Sequence, residues 1–117
     1  TDIQMKTIDI AVATVTRRMI VQYSGVVQDF NPVHYDDDFA KKAGLPSAIA
    51  QGPLTVTLLL DALVAQHGEH SIGKLSVRLK TPVLPGDQLH VSCDAQGKLS
   101  AKVGDREVLA GNLTLKD

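Results

Sequence analysis

The sequence predicts an α+β fold in which one antiparallel sheet wraps a single long, buried helix. Three observations predict it. Residues 52–67 open with Gly52-Pro53, and from Leu54 to Val64 apolar side chains fall on nearly every side; a helix of that kind is enclosed by its own protein. Downstream, residues 75–115 alternate apolar and polar positions and are broken at short intervals by Gly, Pro and Asp, as a meander of half-buried strands is. Upstream, one strand and one amphipathic helix precede the enclosed helix, giving an order that suits a sheet with its helices segregated to one face.

The elements follow in order. Residues 7–15 (TIDIAVATV) alternate with Ile8, Ile10 and Val12 on one face and read as a strand. Thr16 is a candidate N-cap for a helix over 17–26, where Met19, Ile20, Tyr23 and Val27 share a face. Residues 28–36 (QDFNPVHYD) read as a loop, because the proline restricts its predecessor and removes a donor. A short helix over 37–43 begins with acids, which suit the positive helix N-terminus, and Gly44 can end it. Pro53 suits the first turn of the enclosed helix, and Gly68 closes it. Strands are expected over 75–80, 88–95, 98–103 and 107–115, with bends at 82–87 (PVLPGD), 96–97 and 104–105.

A chain of 117 residues fits one domain, 1–117, with a thin core that a second copy would help to cover. A homodimer or higher homo-oligomer is therefore expected, with pairing of strand edges across a two-fold axis as one route and a heteromer as another. Net charge is −1, and the twelve basic residues are scattered, which argues against a phosphate-backbone partner. Aromatics are scarce and Trp is absent, so a stacking platform for bases is not expected. Cys93 is the one cysteine and offers neither an internal disulfide nor a CxxC pair. Residues 1–6 carry no apolar signal core, and the apolar run 54–65 is short for a membrane span and contains Asp61. No membrane insertion and a cytoplasmic location are the expectations.

The chemistry is concentrated in the loop DFNPVH. Asp29 and His34 lie five residues apart around a proline-fixed turn, close enough to face one small volume. A carboxylate beside an imidazole fixes its tautomer, which is what a general base working near neutral pH requires. Asp29 can alternatively hold a water with His34 as its partner, while Asn31 braces the loop through the backbone. The second element is Ala50-Gln51-Gly52-Pro53. A helix N-terminus presents free N–H groups, and Gly52 lets a ligand carbonyl come close to the backbone.

Residues 23–36 (YSGVVQDFNPVHYD), with Phe39-Ala40, residues 48–52 (AIAQG) and residues 78–87 (RLKTPVLPGD), resemble the hydratase motif and flanking segments of the MaoC-like dehydratases and (R)-specific enoyl-CoA hydratases. The resemblance covers most of the chain. It implies a hot-dog fold, a curved antiparallel sheet around a long central helix, and a dimer with an acyl-thioester tunnel near the subunit boundary. It implies (R)-specific hydration of trans-2-enoyl thioesters, or the reverse dehydration, on an acyl-CoA or acyl-carrier-protein substrate with no cofactor and no metal. Asp29 and His34 would activate water and return its proton to the α-carbon. Gly52 would polarise the thioester carbonyl through its N–H, and Asn31 would support the loop on the substrate side. Two departures stand out: Gln51 occupies a position usually held by His, and Pro53 follows Gly52 where Met or a similar residue is usual. Some members also carry Ser where this chain has Leu60.

Other readings compete. A hot-dog acyl-CoA thioesterase would direct water at the carbonyl instead, and a non-catalytic subunit of a heteromeric dehydratase would need no acid–base pair. Asp36-Asp37-Asp38 reads as a solvated helix start rather than a metal site. His67, His70 and His90 have no patterned partner and read as surface or strand-face residues.

Overall fold

The structure, a computed structural model, describes residues 7–116; residues 1–6, read above for a signal core, lie outside the described residues. The described chain runs β1 (Ile8–Thr14), α1 (Arg17–Val27), α2 (Asp37–Lys42), α3 (Gly52–His67), β2 (Ile72–Leu79), β3 (Gln88–Cys93), β4 (Lys98–Val103) and β5 (Arg106–Leu115). Single 3-10 turns sit at Pro32–His34 and Glu69–Ser71, so the expected loop around Pro32 is locally wound. Among the described residues no helix is long and apolar enough to cross a membrane.

Local chemistry explains the boundaries. β1 stops when Val15 leaves the ladder and exchanges backbone bonds of 2.7 Å with Asp87 and Gly86 in the 82–87 bend. Thr16 caps α1 as expected, its hydroxyl accepting from the Met19 N–H at 3.1 Å. The helix ends at Gln28, which takes a left-handed conformation (φ 59°) and donates its N–H to the Ser24 carbonyl. α1 buries Ile20 and Ser24. Val27, expected on that face, is exposed because it lies in the last turn, beyond the core. β2 begins at Ile72, three residues before the expected start, because Ile72 and Lys74 extend its pairing with the end of β5 across a register irregularity at Gly73.

The five strands form one antiparallel sheet in the order β1-β3-β4-β5-β2. β1 and β2 are thus the two edges, and α3 packs against both of them, which is possible only if the sheet curls around the helix. Two inward rows follow from the registers. Ile10, Val91, Ala101, Leu109 and Leu79 form one; Ile8, Cys93, Leu99, Gly111 and Val77 form the other. Gly111 is required there, since a Cβ would lie 2.0 Å from the Ser76 carbonyl oxygen of the adjacent strand.

α3 buries Leu54, Thr55, Leu59, Ala62 and Leu63. The sequence predicted a helix enclosed on all sides, and here the structure differs. Leu60 is 37% exposed, and Val56, Leu58 and Val64 are half-buried. One five-stranded sheet reaches round one side of a helix, so the apolar residues on the far side are left at the surface of the lone chain.

Candidate active site

The site is built where the loop after α1 meets the segment entering α3. Ser24, buried in the last turns of α1, accepts through its carbonyl from both the Gln28 and Asp29 N–H groups. This sets the direction in which the chain leaves the helix. The Asp29 carboxylate then turns back on its own loop, with Oδ1 accepting from the Asn31 N–H at 3.2 Å. Asn31 repeats the motif, its side-chain oxygen accepting from the Val33 N–H at 3.1 Å and capping the Pro32–His34 turn. One carboxylate oxygen is thereby anchored, and Oδ2 lies 3.3 Å from His34 Nε2.

The other side of the imidazole is fixed as well. His34 Nδ1 lies 2.9 Å from the Ile49 carbonyl oxygen. A carbonyl can only accept, so Nδ1 carries the proton in the neutral ring, and Nε2 is left as the basic nitrogen facing Asp29. The His34 side chain is 11% exposed and that of Asp29 is 43%. The imidazole is shielded, and its carboxylate partner reaches solvent.

Residues 48–51 act as a hub for four separate parts of the chain. The Ala48 N–H donates to Asp37 Oδ1 at 2.9 Å. Ile49 donates to the Val33 carbonyl at 3.0 Å while receiving His34, and Ala50 donates to the Val83 carbonyl at 2.8 Å. The Gln51 side chain donates at 2.8 Å to both the Ile20 carbonyl and Ser24 Oγ. Asp37 also binds Arg17 Nη2 at 2.9 Å. The Ala48 N–H and the Arg17 guanidinium hold its carboxyl below the ordinary carboxylate range. The expectation of a merely solvated acid is therefore corrected for Asp37, whereas Asp36 caps α2 by accepting from the Phe39 N–H.

Gly52 is the first residue of α3, where no residue of the helix precedes it to accept from its N–H. A cavity of about 270 Å³ lies beside it, lined by Ile49, Ala50, Gly52, Thr55 and residues 79–83. The far wall is held by Arg106, which donates to Thr81 Oγ1, to the Pro82 carbonyl and to Asp87 Oδ2. Leu79, at the end of edge strand β2, lies directly on Gly52: a Cβ there would be 2.5 Å from Leu79 Cδ1. The structure thus brings Asp29 and His34 together and sets a cavity against Gly52. Ile49 joins the two halves, with its carbonyl on His34 and its place in the cavity lining. Asp29, His34 and Asn31 are not themselves part of that lining. A larger depression of about 850 Å³ lies across the outward face of the sheet, among Ser76, Arg78, Ser92 and Ser100.

Sequence reasoning missed the Ile49 carbonyl, the buried Gln51, the Asp37 bridge and the Leu79 cover. The apolar pattern around 48–51 (AIAQ) marks a buried segment, and a glutamine inside it was the available signal. Of the remaining histidines, His70 and His90 are exposed as expected, His70 3.2 Å from Glu69 and His90 paired with Asp9 of the neighbouring strand, whereas His67, at the end of α3, is partly buried, against the expectation of a surface group.

The chain is similar to several known proteins. The chain is 30% identical over 96 residues to the peroxisomal enoyl-CoA hydratase 2 of Arabidopsis thaliana, an alignment covering 75% of this chain and 31% of that protein. It is 37% identical over 71 residues to the peroxisomal hydratase-dehydrogenase-epimerase of Saccharomyces cerevisiae, covering 61% of this chain and 8% of that protein. The chain thus spans less than a third of the length of these two relatives. Among solved structures, the (R)-hydratase from A. caviae involved in PHA biosynthesis superposes with a TM-score of 0.77 at 20% identity, covering 99% of this chain and 97% of that one, and it shares the hot-dog fold. The model of the MaoC-like domain matches residues 2–116. The chain belongs to the MaoC-like domain family of hydratases and dehydratases.

Proposed function

We propose that the chain adds water to trans-2-enoyl thioesters to give (R)-3-hydroxyacyl thioesters, or catalyses the reverse dehydration. One observation carries the reading: with Nδ1–H committed to the Ile49 carbonyl, His34 Nε2 and Asp29 Oδ2 are two acceptors 3.3 Å apart. A water molecule that donates one hydrogen to each satisfies both. In hydration its oxygen bonds to the β-carbon as Nε2 takes a proton, and the C=C electrons move toward the thioester carbonyl. The Gly52 N–H, at the positive end of α3, stabilises the enolate-like oxygen. The proton held by the dyad then passes to the α-carbon, so the net change is the addition of H and OH with no electron acceptor. Asn31 keeps the loop in register.

The (R) sense follows the likeness to the A. caviae (R)-hydratase. The chain acts as one unit, in the cytoplasm, on an acyl group carried by coenzyme A or an acyl-carrier protein. A second copy, or a related subunit, adds to the free edge of β2 and covers the open side of α3.

Crotonyl-CoA tests this. Loss of the enone absorbance with no free thiol is expected, and an (R)-specific 3-hydroxyacyl dehydrogenase should consume the product. Release of thiol would instead indicate a thioesterase, and an inert protein would indicate a non-catalytic subunit. Asp29→Asn and His34→Ala should each lower turnover by about a hundredfold or more, the lower range for losing acid–base catalysis.

A further inference from the structure

We infer that Gln51 is a positioning residue: its buried carboxamide ties the end of α1 that presents Asp29 to the segment that holds His34 and opens into Gly52. The inference rests on the hydration reading and deepens it.

Gln51 is 1% exposed, among apolar neighbours. Both hydrogens of its Nε2 are used at 2.8 Å, on the Ile20 carbonyl and on Ser24 Oγ, residues 31 and 27 positions away. The Ile20 carbonyl can only accept, so the amide orientation is fixed. Its Oε1 is buried and has no hydrogen-bond partner among the described residues, an arrangement that costs stability. A methionine would fill the same space without that cost, so the residue is there for its two donors.

Those donors end on the turn that aims Asp29. Ser24 takes the Gln51 amide on its hydroxyl and the Asp29 N–H on its carbonyl, at 3.1 Å. At the other end of the tie, the Ile49 carbonyl, two residues before Gln51, holds His34, and Gly52 follows directly. Gln51 therefore links the turn that presents Asp29 to the segment that carries the Ile49 carbonyl and the Gly52 amide. It touches neither Asp29 nor His34 and acts through Ser24. With Nδ1–H on Ile49, Asp29 Oδ2 and His34 Nε2 are two acceptors 3.3 Å apart, so a small shift of α1 decides whether one water can reach both groups.

The test is Gln51→Met made in the wild-type chain and again in Asp29→Asn, with kcat, KM and thermal melting measured for each. In the wild-type background kcat should fall roughly tenfold or more while KM stays within about twofold, as expected when a reacting group is misplaced. In the Asp29→Asn background the further loss should be under about threefold, because the group being positioned is no longer functional. Equal losses in the two backgrounds, as a loss of folded protein would give, overturn the inference. Should Gln51→Met not fold, Ser24→Ala carries the same comparison with a smaller insult. It should lower kcat about threefold in the wild type and have no further effect in Asp29→Asn, and an equal effect in both again overturns the inference. If Asp29→Asn alone turns over normally, the hydration mechanism itself fails and this inference fails with it.

Discussion

Gly52→Ala is a sharp perturbation, because the structure states what the added methyl meets. The new Cβ would lie 2.5 Å from Leu79 Cδ1. Carbon atoms pack at about 3.5 Å or more, so one of the two must retreat by about 1 Å. Leu79 is the one that yields: it is 51% exposed on an edge strand. Pushing it off its rotamer costs about 0.5–1.5 kcal/mol, while alanine offsets up to about 1 kcal/mol through helix propensity, less in the first turn. The net change in stability should stay within about 1 kcal/mol, or about 4 °C in Tm. Catalysis should suffer far more. Gly52 and Leu79 both line the cavity of about 270 Å³ at the amide proposed to meet the carbonyl, so the substitution alters its shape there, and a displacement of about 1 Å at a reacting centre costs up to about a hundredfold. Enone consumption and thermal melting, run on the same preparation, separate the two effects. Adding Leu79→Ala should restore the melting temperature but only part of the turnover, since the methyl still stands in the approach. Unchanged turnover in Gly52→Ala would refute the reasoning, because it would mean that no ligand comes close to this backbone.

Other predictions follow from burial and charge. Leu59→Ala, at a fully buried position on α3, should cost about 2–5 kcal/mol, read as a lower urea midpoint with unchanged slope. Thr16→Ala removes the cap of α1 and should cost about 1 kcal/mol, seen in the same urea titration. Acid should destabilise the protein through Asp37 and Glu107. Asp37 is held down by the Ala48 N–H and Arg17, and Glu107 by Lys80 and Ser100. Both folded values lie below the unfolded ones, so their contribution is complete above about pH 4.5 and is lost as pH falls through the lowered values. Melting curves across that window should show a shallower acid slope for Asp37→Asn than for the wild type.

The sequence carried the parts of this fold that are written in side chains. Thr16 announces its helix because a hydroxyl before an apolar stripe has one common use, and the Asp29–His34 loop is legible because proline restricts the turn between them. What escaped is written elsewhere. The Ile49 carbonyl that sets the His34 tautomer is a backbone atom, which no residue type signals. The sheet order, with β1 and β2 at opposite edges, depends on pairings between distant segments that alternation leaves open. The apolar residues of α3 pointed to burial on every side, whereas one curled sheet covers a single face and Leu60 stays at the surface. Gln51 stood out as a departure from a pattern, but its meaning needed the positions of Ile20 and Ser24, brought near only by folding.

The four residues from Ala48 to Gln51 bind partners at positions 37, 33, 34, 83, 20 and 24. None of those contacts is local: the nearest partner lies 11 positions away, and the Ala50–Val83 bond spans α3 and β2. The proposed acid–base pair therefore depends on the tertiary structure. Partly folded forms are expected to lack the proposed activity, with enone consumption lost in the same melting transition as the core.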